Sequence, residues 1–259
     1  NLLYKQQQQT KNFFENDAEN WKKISDLKKN KIFNTIQQRN SYVTKILKRY
    51  NLRSLLDVGC GSGDLCFEAS KFISKVVGID FSKSMIDISK KNFKNENLSF
   101  HYENFFEFDS SNKFDCLSAN GFIEYLSMQD IVSFLKKSKK IVKKNKYIIF
   151  GSRNRIFNLF SLNKFSLSEF KNKTFKNFYD EAIELNNLEL KKFIKLKKNK
   201  FQEINFKQPK TARVNVEKRH QFSPLQIVDL LEKTNWKIID FYPINYHPVL
   251  PSKYDKNKE

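Results

Sequence analysis

Between residues 54 and 151, short apolar runs alternate with segments whose apolar positions recur every three or four residues. The runs SLLDV (54–58), KVVGID (75–80), LSFHY (98–102), FDCLSA (114–119) and KYIIFG (146–151) are too short for buried helices. Most are rich in β-branched or aromatic residues, so they predict five strands. Helical spacing fills the intervals and also precedes the first strand. Residues 31–50 place Ile32, Ile36, Val43, Ile46 and Leu47 roughly on one face, a second helix runs from Asp64 to Phe72, and a third passes through Met85 and Ile88. Over 128–142, Met128, Ile131, Val132, Leu135 and Val142 share one side, with the lysines mostly on the other. Strands alternating with helices at this pitch predict a parallel sheet covered on both faces.

The rhythm stops over 153–220, which is polar, Lys-rich and studded with Phe, and where SLSE (Ser166 to Glu169) reads as a helical capping box. It resumes at FSPLQIVDLLEKTNWKIIDFY, with Ser223 as cap, Pro224 at the first helical position and Gln226 completing the box. A sixth strand is expected at 236–242. The chain thus reads as one domain in four stretches: N-terminal helices (1–50), a core (51–152), an insertion (153–220) and a return to the sheet (221–259). The insertion is expected over the end of the sheet where open parallel sheets hold ligands.

The stretch LLDVGCGSGD (55–64) follows the first strand with Gly59, Cys60, Gly61 and Gly63 in a tight turn. It is not a pyrophosphate cradle of the G-x-G-x-x-G type, because Asp64 stands at the third glycine position and would repel a pyrophosphate. A ligand with cations and no phosphate suits the turn better. S-adenosyl-L-methionine is such a ligand. Glycine lets backbone approach its methionine portion and ribose, Asp57 can organise its ammonium, and Asp80 at the end of strand two can accept the ribose hydroxyls.

LLDVGCGSGD…VVGIDFSKSMI resembles the first and second motifs of the class I S-adenosylmethionine-dependent methyltransferases. FFENDAENWKKI…NTIQQRNSYV is similar to the N-terminal helices of magnesium-protoporphyrin O-methyltransferases and, more loosely, of quinone-biosynthesis O-methyltransferases. The resemblance implies a Rossmann-like doubly wound, mainly parallel α/β sheet with N-terminal helices and a helical insertion after strand five. It implies that Arg39 meets the cofactor carboxylate and that Met85 packs on the adenine face, with Phe81 and Phe105 in the same pocket. Asn104 stands where the family usually has Asp, its amide oxygen accepting from the adenine amino group, and Asn120 lines the methionine arm. The antiparallel seventh strand usual in the fold is hard to find after FYPINYHPVLP, so the chain is expected to be truncated or that edge irregular.

Composition adds limits. A charge of +20 over 259 residues, with runs such as KKSKKIVKKNKY (136–147), suggests anionic partners, although AT-rich coding that fills solvated faces with Lys is the leading explanation. No stretch of roughly 18 apolar residues exists, so no membrane span is expected. The N-terminal NLLYKQQQQT has no apolar signal region. Cys60, Cys66 and Cys116 lack metal spacing and cannot all pair, which favours a reducing cytoplasm and no metal.

Methyl transfer is an in-line displacement on an activated sulfonium, so a base is needed only for a hydroxyl or protonated-amine acceptor. His220, before the capped helix, is the candidate base or acceptor ligand. Tyr125, in FIEYL, takes the position where the resembling families often have His, and Glu124 organises that loop. His101 and His247 are read as structural. Arg153 and Arg155 are expected to hold an acceptor carboxylate or phosphate, and Trp21 to form an aromatic lid with Phe13 and Phe14. The leading reading is a small-molecule methyltransferase, acting on oxygen of a phosphorylated, nucleotide-linked or surface-glycan-precursor metabolite. An RNA methyltransferase, a quinone or tetrapyrrole O-methyltransferase and a non-catalytic cofactor-binding protein are the alternatives. Nucleic acid ranks behind a small acceptor because no RNA-binding module or NPPY-type motif is present.

Overall fold

A computed structural model of the protein describes residues 2–25, 35–187 and 219–242, with Lys192, Val216 and Ile244. The described residues divide into two compact units, Asn1–Gly151 with Lys207–Arg219, and Ser152–Phe206 with His220–Glu259.

The first unit is built on β1 (Ser54–Val58), β2 (Lys75–Asp80), β3 (Leu98–Tyr102), β4 (Phe114–Ala119) and β5 (Val142–Phe150). They form one sheet in the order β3-β2-β1-β4-β5, and every pair is parallel. All five residues of β1 and all six of β4 are buried. That explains why the central strands read as continuous apolar runs without alternation. β5 starts four residues earlier than expected and, among the described strands, ends the sheet, carrying Lys143, Lys144 and Lys146.

The flanking helices are α1 (Leu2–Ser25), α2 (Thr35–Arg49), α3 (Asp64–Ser70), α4 (Lys83–Asn92) and α5 (Met128–Ile141). Val43, Ile46 and Leu47 of α2 are buried as their spacing predicts. The side chain of Ser82 accepts the Met85 N–H to cap α4, and Ser127 accepts from Asp130 to cap α5. At Gly63, before α3, φ is +83°, and an added Cβ would sit 2.7 Å from the Phe100 ring and 2.8 Å from Ser89. Glycine is therefore required there by backbone conformation and by core packing, with no ligand involved.

The second unit holds a 3-10 turn (Arg155–Leu159), α6 (Lys164–Lys171), α7 (Phe175–Asn187) and α8 (Pro224–Lys233). Ser223 and Gln226 cap α8 reciprocally, as expected. For α6 the box lies three residues earlier than SLSE suggests: Asn163 is the cap and Ser166 its partner. Glu169 is thereby released for another role. Its carboxylate accepts from Arg155 Nε at 2.9 Å and Nη2 at 3.0 Å, from Asn158 at 2.9 Å, and from the Thr174 hydroxyl. Arg155 also lies over the Phe178 ring.

The sixth strand is not formed. Residues 236–242 are irregular, and Ile239, Phe241 and Tyr242 are exposed. Alternating apolar residues make a strand only when a neighbouring strand edge takes up their backbone groups. Among the described residues no helix is long and apolar enough to cross a membrane, and Cys60, Cys66 and Cys116 are free and buried.

Removing Glu169 would strand a buried guanidinium. Glu169→Ala is expected to cost about 3–5 kcal/mol, whereas the double replacement Arg155→Met with Glu169→Leu should recover most of that loss. Denaturant unfolding of both variants checks this.

Candidate functional site

In the strand order β3-β2-β1-β4-β5 the chain winds one way from β1 to β3 and the other way from β4 onward. The carboxyl ends of β1 and β4 therefore flank the switch point, where open α/β sheets leave a crevice. A pocket opens there, lined by Asp57, Gly59, Cys60, Gly61 and Ser62 of β1 and its turn, by Asn120 after β4, by Asp64 and Leu65 of α3, and by Arg39, Asn40 and Ile36 of α2. Trp21 and Ser25 of α1 complete it, and it encloses about 460 Å³, its open mouth included.

Two buried carboxylates stand behind the turn. Asp57 accepts from the Ser118 hydroxyl and the Cys66 thiol. Burial pushes its carboxyl up to about 6, with Asp80 adding like charge and the two hydrogen bonds opposing. Asp80 accepts the backbone N–H of Gly61 on one oxygen and that of Ser82 on the other, each at 2.9 Å. Burial likewise raises it to about 6. One carboxylate thus ties the turn after β1 to the start of α4. Asp80 is not among the residues that line the pocket, and each of its oxygens already accepts one backbone N–H.

Gly59 and Gly61 both line the pocket, and Gly61 is the one beneath Trp21. Its φ is +53°, and a Cβ would meet the Trp21 indole Nε1 at 3.6 Å. At Gly59 a Cβ would press on Phe122 at 3.2 Å, a packing constraint.

Arg39 and Asn120 meet on the opposite wall. Among the described residues, Arg39 Nε and Asn120 Nδ2 have no hydrogen-bond partner, though both are buried. Such orphan donors are costly unless a ligand supplies an acceptor. Burial, with the like charge of Arg219, draws Arg39 below the usual arginine range, while Glu124 and Tyr125 oppose the shift. A buried carboxylate, two unsatisfied donor groups and a glycine turn fit an ammonium, a carboxylate and a closely approached chain, which are the groups of S-adenosylmethionine's methionine end.

The adenine end differs from expectation. Met85 is buried, but it packs with Ala18, Ile88, Phe14 and Trp21, so α1 covers the wall meant for the base. Trp21, expected against the acceptor, lies over the cofactor turn. Asn104's amide oxygen accepts the Phe106 N–H at 3.1 Å, which closes a local turn. Phe105 belongs to an aromatic core, 5.1 Å from Phe134 and 6.3 Å from Phe122. Phe81 is half-buried and outside the lining.

α1 is held down at both ends of this cover. Lys22 and Ser25 donate to Asp64, and Ser62 donates to the same carboxylate. Glu15 accepts the N–H groups of Lys83 and Ser84 at the start of α4. These contacts were not anticipated. The only local signal was the acid at Asp64, which reads as a helix-start residue.

Tyr125 is buried, with Phe14 edge-on at 5.6 Å and the Arg219 guanidinium 5.4 Å over its ring. Arg219 donates to Glu124 at 2.9 Å, so Glu124 does organise this loop, through a partner 95 positions away. In the second unit, His220 is half-buried, its ring 5.9 Å from that of Phe222. Arg153 is half-buried and its carbonyl accepts from Phe222. Arg155, expected to hold an acceptor anion, is fully buried on Glu169 and performs a structural task instead. His101 is exposed beside Ser99, and His247 lies outside the described residues. Among the described residues no group of three or more metal-ligating side chains forms a metal site.

Comparison with known proteins bears on the family and the fold. Residues 51–208 match the family model described as "Methyltransferase domain". A ubiquinone biosynthesis O-methyltransferase of Pelagibacter ubique is 32% identical over 135 residues, covering 48% of this chain and 55% of that protein. One of Bradyrhizobium diazoefficiens is 31% identical over 122 residues, covering 43% and 47%. The chain thus spans about half the length of the curated relatives it matches. The crystal structure of magnesium protoporphyrin IX methyltransferase from Synechocystis with bound S-adenosylhomocysteine superposes with a TM-score of 0.55 at 12% identity, covering 86% of each chain, a likeness of fold. With the family model over more than half its length and a nucleotide-type crevice at the switch point, the chain belongs to the class I S-adenosylmethionine-dependent methyltransferases.

Proposed function

We propose that the protein transfers the methyl group of S-adenosylmethionine to an oxygen atom of a small-molecule acceptor. The supporting observation is the pocket wall on which Arg39 and Asn120 leave buried donors unsatisfied across from the buried Asp57. When bound, the cofactor supplies a methyl group already activated on a sulfonium. The chain's own work is then positioning and charge. Asp57 holds the ammonium, Arg39 the carboxylate, and Gly61 admits the chain between them. Closure of α1 over the turn through Trp21 and the Lys22–Asp64 pair excludes water from that end.

The choice of oxygen is supported by the O-methyltransferase names of the relatives. An acceptor that is phosphorylated, nucleotide-linked or a glycan precursor suits the cationic chain. A quinol-type phenol is the second reading, favoured by the same relatives. In either case His220 is proposed as the base that takes the hydroxyl proton, with Tyr125 as the competing candidate and Arg153 as an acceptor contact. The free thiols of the three cysteines support a reducing, cytoplasmic setting. Incubation with isotope-labelled S-adenosylmethionine and a panel of phenols, phosphorylated metabolites, sugar nucleotides and RNA, read by mass spectrometry, tests the reading. Label transferred to RNA alone would overturn it.

Three outcomes are expected. Arg39→Ala should lose about 10- to 100-fold in calorimetric affinity for S-adenosylhomocysteine, from a lost charge-assisted bond, yet bind methylthioadenosine as wild type does, because that ligand lacks the carboxylate. Equal losses would mean that Arg39 acts through packing.

Cofactor affinity should fall as pH drops through about 6, where Asp57 and Asp80 take up protons. The sign follows from the raised carboxyl values: above them the site is anionic and attracts an ammonium, and below them it is neutral. Asp57→Asn should bind weakly and lose most of the pH dependence, as titration calorimetry across this range would show.

With an acceptor in hand, His220→Ala should leave S-adenosylhomocysteine binding intact while turnover falls about 10²- to 10⁴-fold. A near-normal His220→Ala rate with a collapsed Tyr125→Phe rate would transfer the role to Tyr125.

A further inference from the structure

The second unit presents an apolar surface that its own core does not account for. α6 buries Ser166 and Glu169 and turns Leu167 and Phe170 outward, 53% and 59% exposed. Just ahead of it, Phe160 is 53% exposed and Leu162 89%. Scattered exposed leucines are ordinary, but four large apolar side chains between Phe160 and Phe170 are not. Leu162 is anomalous twice over. Its φ is +45°, a left-handed conformation that costs a leucine more than it would an asparagine or glycine. Neither chain conformation nor burial favours leucine there.

Lysines predominate around these residues. Lys164, Lys171, Lys173 and Lys176 are all exposed. From Ser152 to Tyr179 the single acid is Glu169, and it is buried beneath Arg155. Lys164 and Lys171 flank Leu167 on α6 at helical spacing, and α6 exposes no acid, whereas Lys176 on α7 has the exposed Asp180 one turn beyond it.

We propose that this face docks on an anionic lipid bilayer. Aliphatic and aromatic tips would enter the headgroup–acyl boundary while the lysines contact lipid phosphates. Nucleic acid fits less well. Leu162 and Leu167 offer no stacking face, and a phosphate backbone gains nothing from exposed aliphatics. A bilayer uses both features at once. Docking would bring the enzyme to acceptors held in or near the membrane, independently of which acceptor the active site takes.

The test uses the full chain in vesicle sedimentation at low salt. It compares phosphatidylcholine alone with vesicles in which about half the lipid is phosphatidylglycerol. Wild type should sediment with the anionic vesicles and not with the neutral ones. Leu162→Asn with Leu167→Gln should weaken this partition about ten-fold while leaving S-adenosylhomocysteine affinity unchanged, and Lys164→Gln with Lys171→Gln should do the same. Asparagine suits the left-handed backbone, so the first variant keeps the fold. Three results would overturn the proposal: no binding to anionic vesicles, equal binding to neutral ones, or a partition that Leu162→Asn with Leu167→Gln leaves untouched. Binding to single-stranded RNA that exceeds vesicle binding and is lost in the same variants would instead make this a nucleic-acid surface. Loss of S-adenosylhomocysteine affinity in wild type would count against the methyltransferase reading alone.

Discussion

Two acids buried at the carboxyl ends of adjacent central strands set the terms for the first unit. An ionised carboxylate in an apolar interior is costly unless it accepts hydrogen bonds. Asp80 meets that need by accepting from the turn after β1 and from the start of α4, and Asp57 by accepting from Ser118 and Cys66. The same bonds that make the charges tolerable fix the glycine turn, the entry to α4 and the spacing of β1 from β4. Both groups still sit near 6, so each retains some of its desolvation cost. A cationic ligand over the turn would relieve it. Fold and ligand preference thus share one origin.

α1 responds to the same place. Its aromatic residues cover Met85 and Ile88, while Lys22 and Ser25 close on Asp64. Asp64 excludes a pyrophosphate from the turn and anchors the cover in one stroke. On the far wall, Arg39 and Arg219 share the neighbourhood of a single buried acid, Glu124. Two guanidiniums against one carboxylate leave that corner one negative charge short, in keeping with the proposed carboxylate contact of Arg39.

The second unit solves a different problem with similar means. Arg155, Asn158 and Thr174 converge on Glu169 within a core of Ile156, Leu159 and Phe178. Bidentate geometry and additional donors make this pair bearable in a dry interior. Because the network consumes the one acid of α6, that helix exposes only lysines beside its outward Leu167 and Phe170. An internal structural device thereby shapes the surface that a membrane would meet.

The sequence by itself determined the elements whose signals are local. Five strands, the glycine turn and the Ser223–Gln226 cap depend on residues within a few positions of one another, so period and turn chemistry sufficed. The cofactor class followed from Asp57, the three glycines, Asp64 and Asp80, whose types and spacing along the chain carry that signal. What tertiary structure decided were the partners of polar side chains. Arg155 reads as a contact for an acceptor anion until Glu169, 14 positions on, claims it. Asn104 reads as a ligand group until Phe106 takes its oxygen. Trp21 reads as an acceptor lid until α1 lies across Gly61. The run at 236–242 reads as a strand, yet a strand exists only beside another, and no residue in the run specifies its neighbour. Hydrophobic periodicity is written along the chain. The pairing of buried charges and the supply of a free sheet edge are properties of distant segments brought together, and only folding assigns them.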